Sequence, residues 1–181
     1  MNKTPKAKQN IITRGLPKTG QTTTYQAGDD GFYEAGWWKG RLDSNNKVRL
    51  VAKTIGGDDV VIDRATGLMW AADGNDAGCN SGNTILWGPA ITYAEGLTFA
   101  GFTDWRVPNV KELMSIINFS LSSPTIDNTK FVNTYSNYYW TSTTNIPNTI
   151  AAWYITFGFG FVLSTSKTFF DVRLRCVRGG P

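Results

Sequence analysis

Between Tyr138 and Pro181 the chain runs YYWTSTTNIPNTIAAWYITFGFGFVLSTSKTFFDVRLRCVRGGP, β-favouring stretches broken at short intervals by Gly, Asn, Ser and Pro. Such punctuation suits a sheet of short strands and is too frequent for long helices. The expected strands are Tyr139 to Thr143, Ala151 to Phe157, Phe161 to Ser164 and Val172 to Arg178. A strand buries alternate side chains on one face. Phe157, Phe159, Phe161, Phe169 and Phe170 are therefore too many and too closely spaced for every ring to leave water. In the last strand Val172, Leu174 and Cys176 are expected to share the core face, with Arg173 and Arg175 turned outward.

The upstream chain adds hairpins and two helices. Val48 to Ile55 and Val60 to Asp63 flank Gly56-Gly57-Asp58-Asp59, a hairpin signal, and Asp63 to Gly67 is a second turn leading into Leu68-Met69-Trp70. One helix is expected to open near Pro89, with Trp87, Ala90, Ile91, Ala94 and Leu97 on one face and Gly96 or Gly101 as its stop. Another begins after Asn109, whose partner Glu112 three residues on makes a capping box, and carries Val110, Leu113, Met114 and Ile117 inward. Tyr25 to Tyr33 reads as an irregular segment held to the body by its rings, and at least one of Trp37 and Trp38 is expected to be buried. The fold class is α+β: two helices and a small twisted antiparallel sheet with long loops. Residues 1–21 read as a basic arm and 22–181 as one domain.

Charge and residue types narrow the function. Five of the 18 basic residues precede the first acid, Asp29, so the remaining 13 face 14 acids and the body is close to neutral. That distribution argues against a nucleic-acid partner. No apolar run is long enough to span a membrane and the first 20 residues lack a signal-peptide core. Cell surface, virion and cytoplasm all remain open, as does self-association. Histidine is absent, which removes the Ser-His-Asp and Cys-His arrangements and the HExxH zinc helix. Asp73 to Gly78 imitates a calcium loop, but Ala77 stands at a ligand position and no bidentate Glu follows at the required distance. Asp104 and Arg106 read as a fixed structural pair. No catalytic residue, metal or cofactor is expected. Cys79 and Cys176 fit either one disulfide or two buried thiols.

Several motifs carry a resemblance. Leu16 to Thr22, Asp29-Asp30-Gly31, Ala65-Thr66-Gly67-Leu68-Met69-Trp70, Asp104-Trp105-Arg106-Val107-Pro108-Asn109, Lys111-Glu112-Leu113, Tyr139-Trp140-Thr141-Ser142-Thr143, Ala152-Trp153-Tyr154 and Arg175-Cys176-Val177-Arg178 resemble, in order and spacing, the domain at the C-terminus of the Legionella collagen-like adhesin. The resemblance implies a C-type-lectin-like fold, related to formylglycine-generating enzymes, whose loops and C-terminal strands present a binding face. Two departures stand out. Family members often carry a Cys in the first helix, where this chain has Ala94, which leaves the partner of Cys176 open. They are also commonly Asn-rich beyond Phe157, where this chain has Gly158, Phe159, Phe161, Leu163, Thr165, Phe169, Phe170 and Asp171.

Gly, Phe, Leu, Thr and Asp can each be reached by changing only the two adenines of an Asn codon, as in the variable proteins of diversity-generating retroelements. The expected activity is therefore non-enzymatic binding of a protein or glycan ligand through a hypervariable surface at about 138–181. Its residues are Asn145, Ile146, Asn148, Thr149, Phe159, Phe161, Leu163, Thr165, Phe169, Phe170 and Asp171. Two alternatives accompany it. An adhesin module for sulfated glycans requires Arg173, Arg175, Arg178 or Lys167 clustered on one exposed face. A catalyst like the formylglycine-generating enzymes requires a reactive thiolate in a pocket.

Overall fold

A computed structural model of the chain describes residues 16–34, 36 and 48–179. Its elements run α1 (Asp30–Tyr33), β1 (Leu50–Ile55), β2 (Asp58–Asp63), β3 (Leu68–Ala71), a 3-10 segment (Ala77–Gly82), α2 (Trp87–Glu95), α3 (Val110–Ser115), β4 (Tyr138–Thr144), β5 (Ala151–Thr156), β6 (Phe161–Ser166), β7 (Val172–Arg173) and β8 (Val177–Arg178). They build an α+β fold with two four-stranded sheets, ordered β1-β2-β3-β8 and β6-β5-β4-β7. The pairs are antiparallel except β4 with β7. The expected burial of at least one of Trp37 and Trp38 lies outside the described residues, as do residues 1–15 of the expected arm. Thr19, at the near end of that arm, accepts the Phe119 N–H at 2.8 Å.

Local chemistry explains most of the elements. Gly56 and Gly57, with φ of 62° and 95°, make the tight β1–β2 turn at a conformation that side chains with a Cβ resist. At α3 the Asn109 side chain accepts the Glu112 N–H at 2.9 Å while Glu112 accepts the Asn109 N–H at 2.8 Å. The expected capping box is present, and only Leu113 within the helix is fully buried. α2 ends on Gly96 and buries Ala90 and Ala94.

Two cores follow from the two faces of the β4–β5 pair. On one face Trp140 and Ala152 pack with Ala90, Ala94, Trp105 and Leu174. On the other Tyr139 and Ile155 pack with Leu113, Ile116, Trp70 and Phe157. The Trp140 indole N–H reaches the Ile85 carbonyl and the Trp87 indole N–H reaches the Thr141 carbonyl, both at 2.8 Å, which fixes the entry to α2 against β4.

Four expectations are corrected. The stretch Val172 to Arg178 is not one central strand: β7 joins the second sheet, β8 joins the first, and Leu174, Arg175 and Cys176 cross between them, all buried. Arg175 does not turn outward. Its guanidinium donates to the carbonyls of Ala71 (2.6 Å) and Ala72 (2.9 Å) and to Thr134 Oγ1 (2.7 Å), because the crossing is covered on both sides. Asp104 and Arg106 do not pair with each other. Asp104 takes Arg178 at 2.6 Å, while Arg106 forms a two-pronged bridge to Glu112 with both contacts at 2.7 Å. Finally, the rings of Tyr25, Phe32 and Tyr33 are exposed and do not pin their segment. Asp29 organises it instead, accepting the N–H groups of Tyr25 and Phe32, which with its other backbone donors hold its carboxyl below the usual range.

Cys79 and Cys176 are two free, buried thiols. They lie in the first core, where the Cys176 N–H donates to the Gly78 carbonyl at 2.9 Å. Gly78 allows this approach, since a Cβ there would stand 2.5 Å from that of Ala71.

Candidate functional site

The expected site residues fall around β6, the outermost strand of the second sheet. Phe161, Leu163 and Thr165 stand opposite Thr156, Tyr154 and Ala152 on β5, and Tyr154 and Thr156 stand opposite Trp140 and Tyr138 on β4. These residues therefore share one face of the sheet. Near β4 the face is covered by the 85–87 segment and α2. Towards β6, an end strand of the sheet, it opens to solvent because among the described residues no element lies beyond it. The link from β6 to β7 crosses the open part, and Phe169 anchors it by packing on Tyr138 at 6.2 Å, which in turn meets Tyr154 edge-on at 5.1 Å.

Exposure sorts the set. Ile146, Phe159 and Phe170 are 76%, 72% and 73% exposed, Phe161 58% and Leu163 45%. Phe159 and Phe161 stack on each other across Gly160, 5.7 Å between centroids. Asn148 and Thr149 are exposed, whereas Asn145, Thr165, Phe169 and Asp171 are half-buried and help hold the face in place. Asn145 donates to Ser164 Oγ at 3.0 Å, and Asp171 accepts from Asn137 at 3.4 Å. The 145–150 turn and the 157–160 turn sit at opposite ends of β6, so the exposed residues flank the strand rather than ring a pocket.

Some contributors were missed. Ile150 is 71% exposed and closes the same turn as Ile146; it belongs with its neighbours, and the run Asn148-Thr149-Ile150 already carried the signal. Tyr138 and Tyr154, half-buried, form the floor beside Leu163. Phe119 approaches Gly160 from the loop after α3, and nothing in its local sequence pointed to the face.

The face is electrically quiet. Among residues 138–171 the charged residues are Asp171, which accepts from Asn137, and Lys167. Its ammonium stands 4.1 Å above the Trp87 ring and 3.0 Å from Thr144 Oγ1. The basic residues that a sulfated glycan would need are dispersed: Arg175 is buried, Arg178 is bridged to Asp104, and Arg173 lies 3.8 Å over the Tyr135 ring. Two depressions lie elsewhere. One of about 170 Å³ is lined by Lys18, Thr19, Arg49 and Asp127; the other, about 330 Å³, by Glu95, Arg106 and Glu112. Arg49 is committed to Asp63 and Arg106 to Glu112. Burial pushes both the Cys79 and the Cys176 thiols up, opposite to the direction a reactive thiolate needs.

A family model described as the Lcl C-terminal domain matches residues 59–178. That span begins within β2 and includes both sheets' later strands, both longer helices and the whole exposed face. No curated protein matches the chain. Among the described residues no helix is long and apolar enough to cross a membrane.

Proposed function

The chain belongs to the Lcl C-terminal domain family, and from that premise we propose that it is a non-enzymatic binding module whose ligand surface is the open face around β6. The observation that carries the reading is the exposure of Ile146, Phe159, Phe161, Leu163 and Phe170 together on a frame whose Tyr139, Trp140, Ile155 and Phe157 are buried. Rigid rings give large contact area at small entropic cost, and the Asn, Ser and Thr residues between them supply adaptable hydrogen bonds. Exposed apolar side chains gathered in this way mark interaction surfaces. The fold is read as C-type-lectin-like, with residues 22–181 as its single domain.

The low charge of the face favours a neutral protein or glycan ligand over a sulfated one. Of the positions where the resembled family is commonly Asn-rich, this chain's Gly158, Thr165, Phe169 and Asp171 are buried or half-buried, while its Phe159, Phe161, Leu163 and Phe170 are exposed on a frame in which Phe157 stays in the core. The exposure of those four supports a retroelement-diversified variable protein. Adenine-derived substitutions in the coding DNA, matched against a nearby template repeat, test that origin.

The binding test compares the protein with a Phe159→Ser/Phe161→Ser/Leu163→Ser/Phe170→Ser variant on arrays of proteins, neutral glycans and heparin. The expected result is capture of a neutral ligand, lost in the variant and nearly independent of salt. Capture of heparin that falls steeply with salt and survives the fourfold change overturns the reading.

A further inference from the structure

We infer that β6 binds an extended, uncharged peptide segment of a partner protein by adding it as a further strand to the second sheet. The inference rests on the proposed ligand face and assigns it a partner class and a binding mode.

The backbone of β6 has one side in use and one side open. The Lys167 N–H donates to the Ile150 carbonyl at 2.9 Å, continuing the ladder in which Ala151 faces Ser166 and Thr156 faces Phe161. Hydrogen-bonded pairs alternate along an antiparallel ladder. Phe161, Leu163 and Thr165 therefore turn their N–H and C=O groups to β5, while Val162, Ser164 and Ser166 turn theirs away. The Ala151 carbonyl, which accepts the Asn145 N–H on the β4 side, confirms the phase. Ser166 uses its outward carbonyl for the Phe169 N–H at 2.9 Å. Val162 and Ser164 are left with two donors and two acceptors aimed outward, and no other described residue bonds to them across the edge.

Sheet edges of this kind are normally blunted by charge, proline, a bulge or brevity. β1, the edge of the first sheet, carries the exposed Lys53, and β7 is two residues long. β6 has six residues, Phe-Val-Leu-Ser-Thr-Ser, and none of these protections. An unprotected edge beside exposed aromatics is the geometry of strand addition, in which the backbone supplies affinity and alternate side chains supply specificity. The partner's chemistry follows from the charge: β6 itself carries no ionised side chain, and the two beside its end, Lys167 and Asp171, are of opposite sign, so a charged segment finds no one-signed field along the edge while a neutral one needs none. Side chains at every second position of the added strand would extend the shelf made by Phe161, Leu163 and Tyr154. A second copy of the chain could pair along the same edge, but it would bury Phe161 and Leu163 against itself and remove the ligand face.

The test uses the full chain and phage-displayed linear decapeptides of alternating Val, Ile or Phe with Ser or Thr, read by amide hydrogen exchange and by affinity. With a recovered decapeptide bound, the Val162 and Ser164 amides should slow at least about tenfold while those of Phe161 and Leu163, already paired, change little. Ser164→Pro removes an outward N–H without touching the β5 ladder, together with the hydroxyl that Asn145 reaches; measured against Ser164→Ala, which loses only the hydroxyl, it should weaken binding about tenfold, the worth of one hydrogen bond. Recovery of no decapeptide, or binding without protection of Val162 and Ser164, overturns strand addition. If Phe161→Ser and Leu163→Ser abolish binding but Ser164→Pro does not, the ligand face stands and strand addition falls. Concentration-dependent protection of the same two amides without peptide assigns the edge to a second copy and overturns the peptide occupant.

Discussion

Arg175 is the residue on which the C-terminal crossing depends. Its guanidinium caps two buried carbonyls and a threonine hydroxyl, and it lies 5.3 Å from the Phe131 ring. Replacing it with Leu strands those acceptors in the core, so Arg175→Leu should cost on the order of 3 kcal/mol and lower the melting temperature by roughly 10 °C in a thermal scan. The buried thiols contribute to loss of stability at alkaline pH. Their folded pKa values are raised by burial, so between the unfolded thiol value of about 8.5 and the folded ones the native state holds more protons. Stability is then fully present below about pH 8 and falls as pH rises through 9 and beyond. Melting temperatures from pH 7 to 10 should show that fall, and a Cys79→Ala/Cys176→Ala variant should show a shallower one. At this scale the sequence was legible where partners are local, as with Asn109 and Glu112. It was not legible where they are distant, since Arg175 meets Ala71 across a separation that no local pattern encodes.

At the scale of elements, the frame and the face should respond differently to substitution. Trp140→Ala opens a large void in the first core and should cost about 3–5 kcal/mol. Phe161→Ser and Leu163→Ser, on the open side of β6, should each stay within about 1 kcal/mol by chemical denaturation. Asn109→Ala removes the cap of a six-residue helix and should cost about 1 kcal/mol. The hairpins and both longer helices could be read in advance because their signals, Gly56-Gly57, Gly96 and the capping box, act within a few residues. The division of Val172 to Arg178 between two sheets could not, because alternation of apolar and basic residues describes one straight strand equally well. What breaks it is competition between β4 and β3 for the same stretch. Exposure of Phe159, Phe161 and Phe170, by contrast, followed from crowding alone: one strand face cannot hide them all.

The molecule as a whole is a packed two-sheet frame with an apolar, sparsely charged face around the edge strand β6. The chain is a member of the Lcl C-terminal domain family, and the proposed ligand surface is formed by the side chains around β6. A neutral face implies association governed by burial rather than by steering, so affinity for its ligand should change less than about twofold between low and moderate salt. The division between frame and face is the claim on which both the binding reading and strand addition rest. Denaturant unfolding of the Phe159→Ser/Phe161→Ser/Leu163→Ser/Phe170→Ser variant tests it most directly. Unfolding free energy within about 2 kcal/mol of the parent, with an unchanged slope, is the predicted result; a loss of about 11 kcal/mol or more, the sum expected for three core phenylalanines and a leucine, or loss of the cooperative transition, would contradict it.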